Sequence, residues 1–182
     1  MTTLGEWQNF YVIVGSSAGA LIGLQFVVLA LIADMPGIRR GPEVSAIFAT
    51  PTTVYFGSAL FLAAVMSMPW HAVIGASATW GIGGAVGAIY SARIVNMLRR
   101  QTGYRPEAED WWFHAILPLA AYAMLIASAA CMQVQAQAAL FAVAASALLL
   151  LLIGIHNAWD TVTYHVFVRQ TQPGAASSSK NH

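Results

Sequence analysis

Charged side chains are scarce in this chain of 182 residues: only 8% are Asp, Glu, Lys or Arg, against about 25% in a soluble domain. Hydrophobic residues make up 58%, and the mean hydropathy is +0.65. The few basic residues are separated by apolar runs, which excludes a nucleic-acid-binding surface. The single cysteine, Cys131, excludes an internal disulfide and fits no zinc-finger spacing. The composition therefore indicates an integral membrane protein whose main partner is the lipid bilayer.

Apolar runs of about 20 residues can cross a bilayer, and the chain contains five of them. Their predicted boundaries are 10–33, 45–66, 70–98, 111–132 and 138–168. The first run is not a cleaved signal peptide, because no Lys or Arg precedes it and it is too long. We therefore expect an all-α integral membrane protein, a bundle of five transmembrane helices over 1–170, followed by a disordered cytoplasmic tail over 171–182. In the fourth run Pro118 is expected to kink the helix.

The basic residues all fall on one side of this predicted bundle. They are Arg39, Arg40, Arg93, Arg99, Arg100, Arg105, Arg169 and Lys180. On the other side the only charged side chain is Glu6. By the positive-inside rule the C-terminus is predicted to be cytoplasmic and the N-terminus to lie outside.

Small residues recur at helical spacing in two of the runs. Gly15, Gly19 and Gly23 form one ridge, and Gly83 and Gly87 begin another. Such ridges let membrane helices approach one another closely. Two ridges exceed what a five-helix monomer obviously needs, so we expect a homo-oligomer.

The first run reads GSSAGALIGLQFVVLALI from residue 15. It resembles the opening helix of uncharacterised small bacterial polytopic inner-membrane proteins, which have a GxAAALxGLLFVAxSL-like pattern. The resemblance covers about a tenth of the chain, and it departs from the pattern at Gln25, where an apolar residue is usual. It implies a multi-pass protein of the bacterial inner (plasma) membrane and carries no activity with it.

Polar and titratable residues gather at the predicted cytoplasmic side. They are Arg93, Asp110, His114, His156, Asn157, Asp160 and Tyr164. Asp110 and His114 lie four residues apart, as do His156 and Asp160, and residues at this spacing share a helix face. The fourth and fifth runs are joined by a short turn, so their antiparallel helices are expected to bring both pairs to one membrane level.

Two Asp/His pairs could form a metal site or a proton relay. In that interpretation His114, His156 and Asp160 are the metal ligands. The alternative is that these residues are ordinary polar groups at helix ends, where a charge costs little. On the opposite side, Met66, Met68 and His71 carry the ligand types that Cu(I) prefers.

Three classes of function follow. A homo-oligomeric channel or transporter with a polar cytoplasmic-side site is favoured, because nearly the whole chain is membrane and no catalytic domain is present. The second class is a membrane-embedded metal- or haem-binding protein or enzyme that uses Asp110/His114 and His156/Asp160. The third is a regulatory or assembly subunit of a membrane complex. An enzyme is not favoured, and the residues specify no cofactor.

Overall fold

The computed structural model describes residues 4–33, 42–100 and 111–163. A 3₁₀ turn, Gly5–Trp7, precedes α1 (Gln8–Ala33), α2 (Pro42–Ser67) and α3 (Val73–Arg100). A π-helical turn, Trp112–Ile116, leads into α4 (Leu117–Cys131), and α5 follows over Ala136–Thr163. No strand occurs within these ranges.

Four helical segments are long and apolar enough to cross a membrane. They are Gly5–Leu31, Val73–Met97, Trp112–Cys131 and Ala136–Thr163. The apolar segment Pro51–Ser67 of α2 is shorter. The prediction of an all-helical fold is confirmed for the described residues, and these four segments have the length and apolar composition expected of a multi-pass membrane protein. The number of five transmembrane helices stays a prediction.

The third helix begins later than predicted, at Val73 instead of residue 70. The reason is Trp70, whose indole Nε1 donates to the carbonyl of Val65 at 2.6 Å and so belongs to the turn after α2. Its ring also lies 3.0 Å from where a Cβ on Gly75 would stand. The glycine thus lets the start of α3 pack against the tryptophan.

Several predictions fall outside the described residues. They concern the loop at 34–41 with Arg39 and Arg40, the loop at 101–110 with Arg105 and Asp110, the extension of the fifth helix to residue 168 with Tyr164, and the tail at 171–182.

The fifth helix lies at the centre of the bundle. It packs against both α2 and α4, while α1 packs mainly on α2 and α3 mainly on α4. In α5, half of the most apolar stretch is buried inside the protein. In the segment that contains α1, only 11% of the corresponding stretch is buried. The outer helices therefore leave wide apolar faces for lipid, as expected of a membrane bundle.

The bundle has two ends, which we call the hairpin end and the arginine end. The hairpin end holds the turns that join α2 to α3 and α4 to α5. The start of α1 lies there too, because the ring of Trp7 packs edge-on against Phe141 near the start of α5, with centroids 4.8 Å apart. The arginine end is the opposite one, where the guanidinium carbon of Arg99 lies 5.6 Å from the ring centroid of Trp111.

The predicted glycine ridges divide into filled and open positions. A Cβ on Gly83 would stand 2.8 Å from the ring of Phe61, and one on Gly87 would run into the ring of Tyr122. A Cβ on Gly15 would stand 3.0 Å from Ala63. Nothing lies within 4 Å of such an atom on Gly19 or Gly23. The ridge on α3 and the first position on α1 therefore close the protein's own packing.

Candidate functional site

Asn157 lies inside the bundle near the arginine end. The buried face of α5 recurs every three or four residues, and Ile153, Gly154 and Asn157 are its last positions. The ring of Phe56 on α2 fits against Gly154, so α5 approaches α2 closely one turn before Asn157. Asn157 is only 3% exposed, and among the described residues neither its amide nitrogen nor its amide oxygen has a hydrogen-bond partner. A polar side chain thus stands at an apolar core position without a hydrogen bond to any described residue.

His156 and Asp160 form a hydrogen-bonded pair on the adjoining face of α5. The imidazole Nε2 donates to the Asp160 carboxylate at 3.0 Å. The His156 side chain is 25% exposed and that of Asp160 is 53% exposed, so the pair lies at the rim of the bundle. On its other side the His156 ring stacks on Phe113, with centroids 3.5 Å apart and planes inclined by 18°. His156 is therefore held between its own helix and the π-helical turn.

The π-helical turn arises from Pro118. Proline has no backbone N–H, so Pro118 cannot donate the usual α-helical hydrogen bond to the carbonyl of residue 114. The N–H of Leu117 instead donates to the carbonyl of Trp112, five residues back. The irregularity expected at Pro118 is therefore a π-helical turn. Such turns occur frequently at functional sites. This turn places the Phe113 ring on His156.

The predicted polar cluster is assembled only in part. The structure joins His156 with Asp160, and Asn157 lies beside them on the buried side of α5. His114 is half-buried within the π-helical turn, and Arg93 is exposed on α3. Asp110 and Tyr164 lie outside the described residues.

The residues of the two predicted metal sites lie at opposite ends of the bundle. Within the described part of the chain, no three His, Cys, Asp or Glu side chains gather closely enough to hold an ion, so His114, His156 and Asp160 do not converge on one. At the hairpin end Met66 is 3% exposed and belongs to the core, whereas Met68 is 52% exposed and His71 is also exposed. Met68 lies beyond the end of α2 at Ser67, so its thioether is exposed in the turn while that of Met66 is buried in the core.

The structure brings together a second group of polar side chains, which the sequence pattern does not indicate. Five hydroxyl-bearing side chains meet between three helices, and we call them the hydroxyl cluster: Tyr55 and Ser58 of α2, Tyr90 and Ser91 of α3, and Tyr122 of α4. The only signal in the sequence is that Ser91 follows Gly87 by one turn. That spacing is equally typical of a small-residue packing ridge, so it does not distinguish a polar group from a packing surface.

The buried side chains whose polar atoms lack a hydrogen-bond partner among the described residues include Tyr11, Tyr55, Trp80, Tyr90, Ser91 and Asn157. Most buried polar groups in proteins are hydrogen-bonded. Inside a bilayer a polar group without a hydrogen bond costs still more free energy, because little water is available to bond to it. The described part of the bundle therefore contains several buried polar atoms whose hydrogen bonds are not met within it.

No protein-family model, curated protein or solved structure matches this chain. What the site can do is therefore inferred from its own geometry.

Proposed function

We propose that this protein is a membrane channel or transporter that passes a small polar species through the interior of its bundle. The observation that carries the proposal is Asn157. Its amide is 97% buried and unpartnered among the described residues, six residues before the end of α5, which is about 9 Å along the helix axis. Leaving an amide in this state costs about 1–3 kcal/mol, and polar residues inside membrane spans are functional by default.

The pair at the rim supports this proposal. His156 and Asp160 offer a donor, an acceptor and a negative charge at the partly exposed mouth beside Asn157. The stack on Phe113 fixes the imidazole, so the mouth has a defined shape. In the proposed route a polar species passes from water to Asp160, then to His156, and then to the buried amide of Asn157.

In this proposal the chain crosses the bacterial inner membrane five times, with the arginine end in the cytoplasm and the N-terminus outside. The position of Arg99 and Arg100 at the end of α3 supports it, because basic residues concentrate on the cytoplasmic side. A cytoplasm-specific reporter fused after residue 170 is expected to be active. Activity of a periplasm-specific reporter at the same point would reverse the orientation.

We also propose that the protein is a homo-oligomer. The support is narrower than the sequence suggested, because only Gly19 and Gly23 of the ridges remain open. Both lie on the outer face of α1, where a second copy could approach closely. Native mass measurement in mild detergent and in nanodiscs is expected to give a multiple of the protomer mass that falls on substitution of both glycines by Leu. A monomer in both environments would exclude this assembly.

Flux into liposomes tests the proposed transport. Wild-type protein is reconstituted, and the uptake of ions and of neutral solutes is compared with that of protein-free vesicles. Asn157→Leu keeps the size of the side chain and removes its polar atoms, so uptake is expected to fall by about tenfold, the effect of about 1.4 kcal/mol. Ser146→Ala is the matched control. Ser146 is equally buried on the same helix, but its hydroxyl already donates to the carbonyl of Ala142 at 2.8 Å. Absence of any flux, or equal flux in Asn157→Leu, would refute the proposal.

A further inference from the structure

The hydroxyl cluster contains more hydrogen-bonding capacity than it uses. Ser58 donates to the carbonyl of Val54 at 2.8 Å, and its oxygen lies 2.9 Å from the hydroxyl of Tyr122. Because a serine has one hydrogen to give, Tyr122 is the donor in the second contact. Those two hydroxyls are therefore occupied as donors.

The other three hydroxyls of the cluster are not. The Tyr55 hydroxyl lies close enough to that of Ser91 for a weak hydrogen-bonding interaction and interacts electrostatically with Tyr122 and Tyr90. Even so, no hydroxyl of Tyr55, Tyr90 or Ser91 reaches full hydrogen-bond geometry with another described residue. Tyr55 and Ser91 are both 0% exposed. Three hydroxyls, each both a donor and an acceptor, thus meet in the interior without a well-formed hydrogen bond to any described residue.

The packing around the cluster holds one of its rings in place. The Tyr122 ring fills the space that any side chain at position 87 would need, so Gly87 lets the phenol lie directly on α3. Tyr122 is 1% exposed and cannot turn away to reach lipid headgroups or water. The bonded hydroxyls of Tyr122 and Ser58 are therefore a fixed part of the site, and the three unpartnered hydroxyls lie beside them.

Charge is absent from the cluster. Its members are three phenols and two serine hydroxyls, and Arg93, two residues beyond Ser91, points to the exposed side of α3. An ion taken from water into such surroundings loses several kcal/mol of hydration, which uncharged hydroxyls do not restore. An uncharged molecule with donors and acceptors meets no such penalty, and the aromatic rings suit its apolar atoms.

We propose that the hydroxyl cluster binds a small uncharged hydrogen-bonding molecule, in the class of short alcohols, urea and water. The inference rests on the proposed function, since it makes this class the transported one and the cluster a binding site within the bundle. The side chain of Asn157 suits the same class of molecule, because an amide offers both donors and an acceptor without charge.

Flux measurements with different solutes test whether the transported molecules are small and uncharged. Proteoliposomes are challenged with glycerol, urea and K⁺ in separate stopped-flow experiments. Glycerol and urea are expected to enter faster than in protein-free vesicles, and K⁺ is not. Tyr55→Phe and Ser91→Ala are each expected to slow glycerol entry by about fivefold, the effect of one lost hydrogen bond.

Tyr11→Phe is the matched control for Tyr55→Phe. Tyr11 is 1% exposed and its hydroxyl is also unpartnered among the described residues, but it lies on α1 against Trp7 and Phe10, apart from the hydroxyl cluster. Glycerol entry is expected to stay at the wild-type rate in this variant. Equal slowing in both variants would show that the loss of any buried phenol hydroxyl impairs the protein, and would overturn the assignment of the cluster.

A binding measurement separates this inference from the proposed function. Protein labelled with 3-fluorotyrosine is titrated with glycerol in detergent, and the ¹⁹F resonance that disappears in Tyr55→Phe is followed. A saturable shift supports the site even if no flux is found, in which case only transport fails. Flux of K⁺ with neither glycerol entry nor a shift would leave transport standing and overturn the inference. Absence of flux together with an unmoved resonance would overturn both.

Discussion

The imidazole of His156 lies nearly parallel to the ring of Phe113, with their centroids 3.5 Å apart. The two residues belong to different elements, α5 and the π-helical turn, and the stack joins them beside the buried amide of Asn157. Aromatic pairs of this kind contribute about 0.5–1.5 kcal/mol beyond the area they bury. The arginine end of the bundle is therefore held in shape by a contact that also positions a titratable side chain.

Replacing Phe113 by Leu is expected to lower the free energy of unfolding by about 1 kcal/mol, because the stack is lost while most of the apolar volume remains. A double-mutant cycle with His156→Ala isolates the contact. The cycle should return a coupling of about 0.5–1.5 kcal/mol between the two positions. Additive effects of the two substitutions would show that the rings do not stabilise one another.

The His156–Asp160 pair should contribute little to stability. Asp160 is 53% exposed, so loss of its partner leaves the carboxylate in contact with water and not as an uncompensated buried charge. His156→Gln and Asp160→Asn are each expected to change the free energy of unfolding by less than about 1 kcal/mol. Larger losses from urea or heat denaturation in mild detergent would mean that the pair is buried in the membrane-embedded protein.

Asn157→Leu should stabilise the protein while it impairs transport. The substitution exchanges an unpartnered buried amide for an apolar side chain of similar size, which is expected to raise the free energy of unfolding by about 1 kcal/mol. Functional residues are often kept at such a cost to stability. Thermal unfolding of this variant beside wild type and Ser146→Ala measures the effect. Destabilisation by Asn157→Leu would indicate that the amide has a structural partner after all.

Gly87 and Gly19 provide a matched pair of glycines within helices. Gly87→Ala places a methyl group in the ring of Tyr122 and should destabilise the protein by about 1–3 kcal/mol. Gly19→Ala places its methyl group in open space and should be neutral or stabilising by up to about 1 kcal/mol. Equal effects in a thermal unfolding series would contradict the close approach of α3 and α4.

The helical fold was predictable because long apolar runs in this chain admit few structures other than membrane helices. The helix boundaries were less so: the start of α3 depends on Trp70, which folds back on Val65 through a contact that the apolar pattern does not reveal. The role of Gly83 and Gly87 was equally ambiguous. A small-residue ridge has the same sequence whether it faces a helix of its own chain or another copy.

The site was predictable only as a region. Spacing on α5 placed His156 and Asp160 within reach of each other, and they are bonded in the structure. The sequence did not distinguish Asn157 as buried, since that depends on how α5 is rotated against α2. The hydroxyl cluster depends on three helices meeting at one place, which no single helix pattern records.

Access of water to Asn157 is the most direct test that a polar species enters the bundle. In a Cys131→Ser background, Asn157→Cys is treated in proteoliposomes with a small uncharged methanethiosulfonate reagent that carries a hydroxyl group. Ala147→Cys, 0% exposed on the same helix, is the control. The thiol at 157 is expected to react in the folded protein, and the thiol at 147 only after denaturation. Protection of both thiols until the protein unfolds would show that the amide is sealed from water, and would contradict a polar route through this end of the bundle.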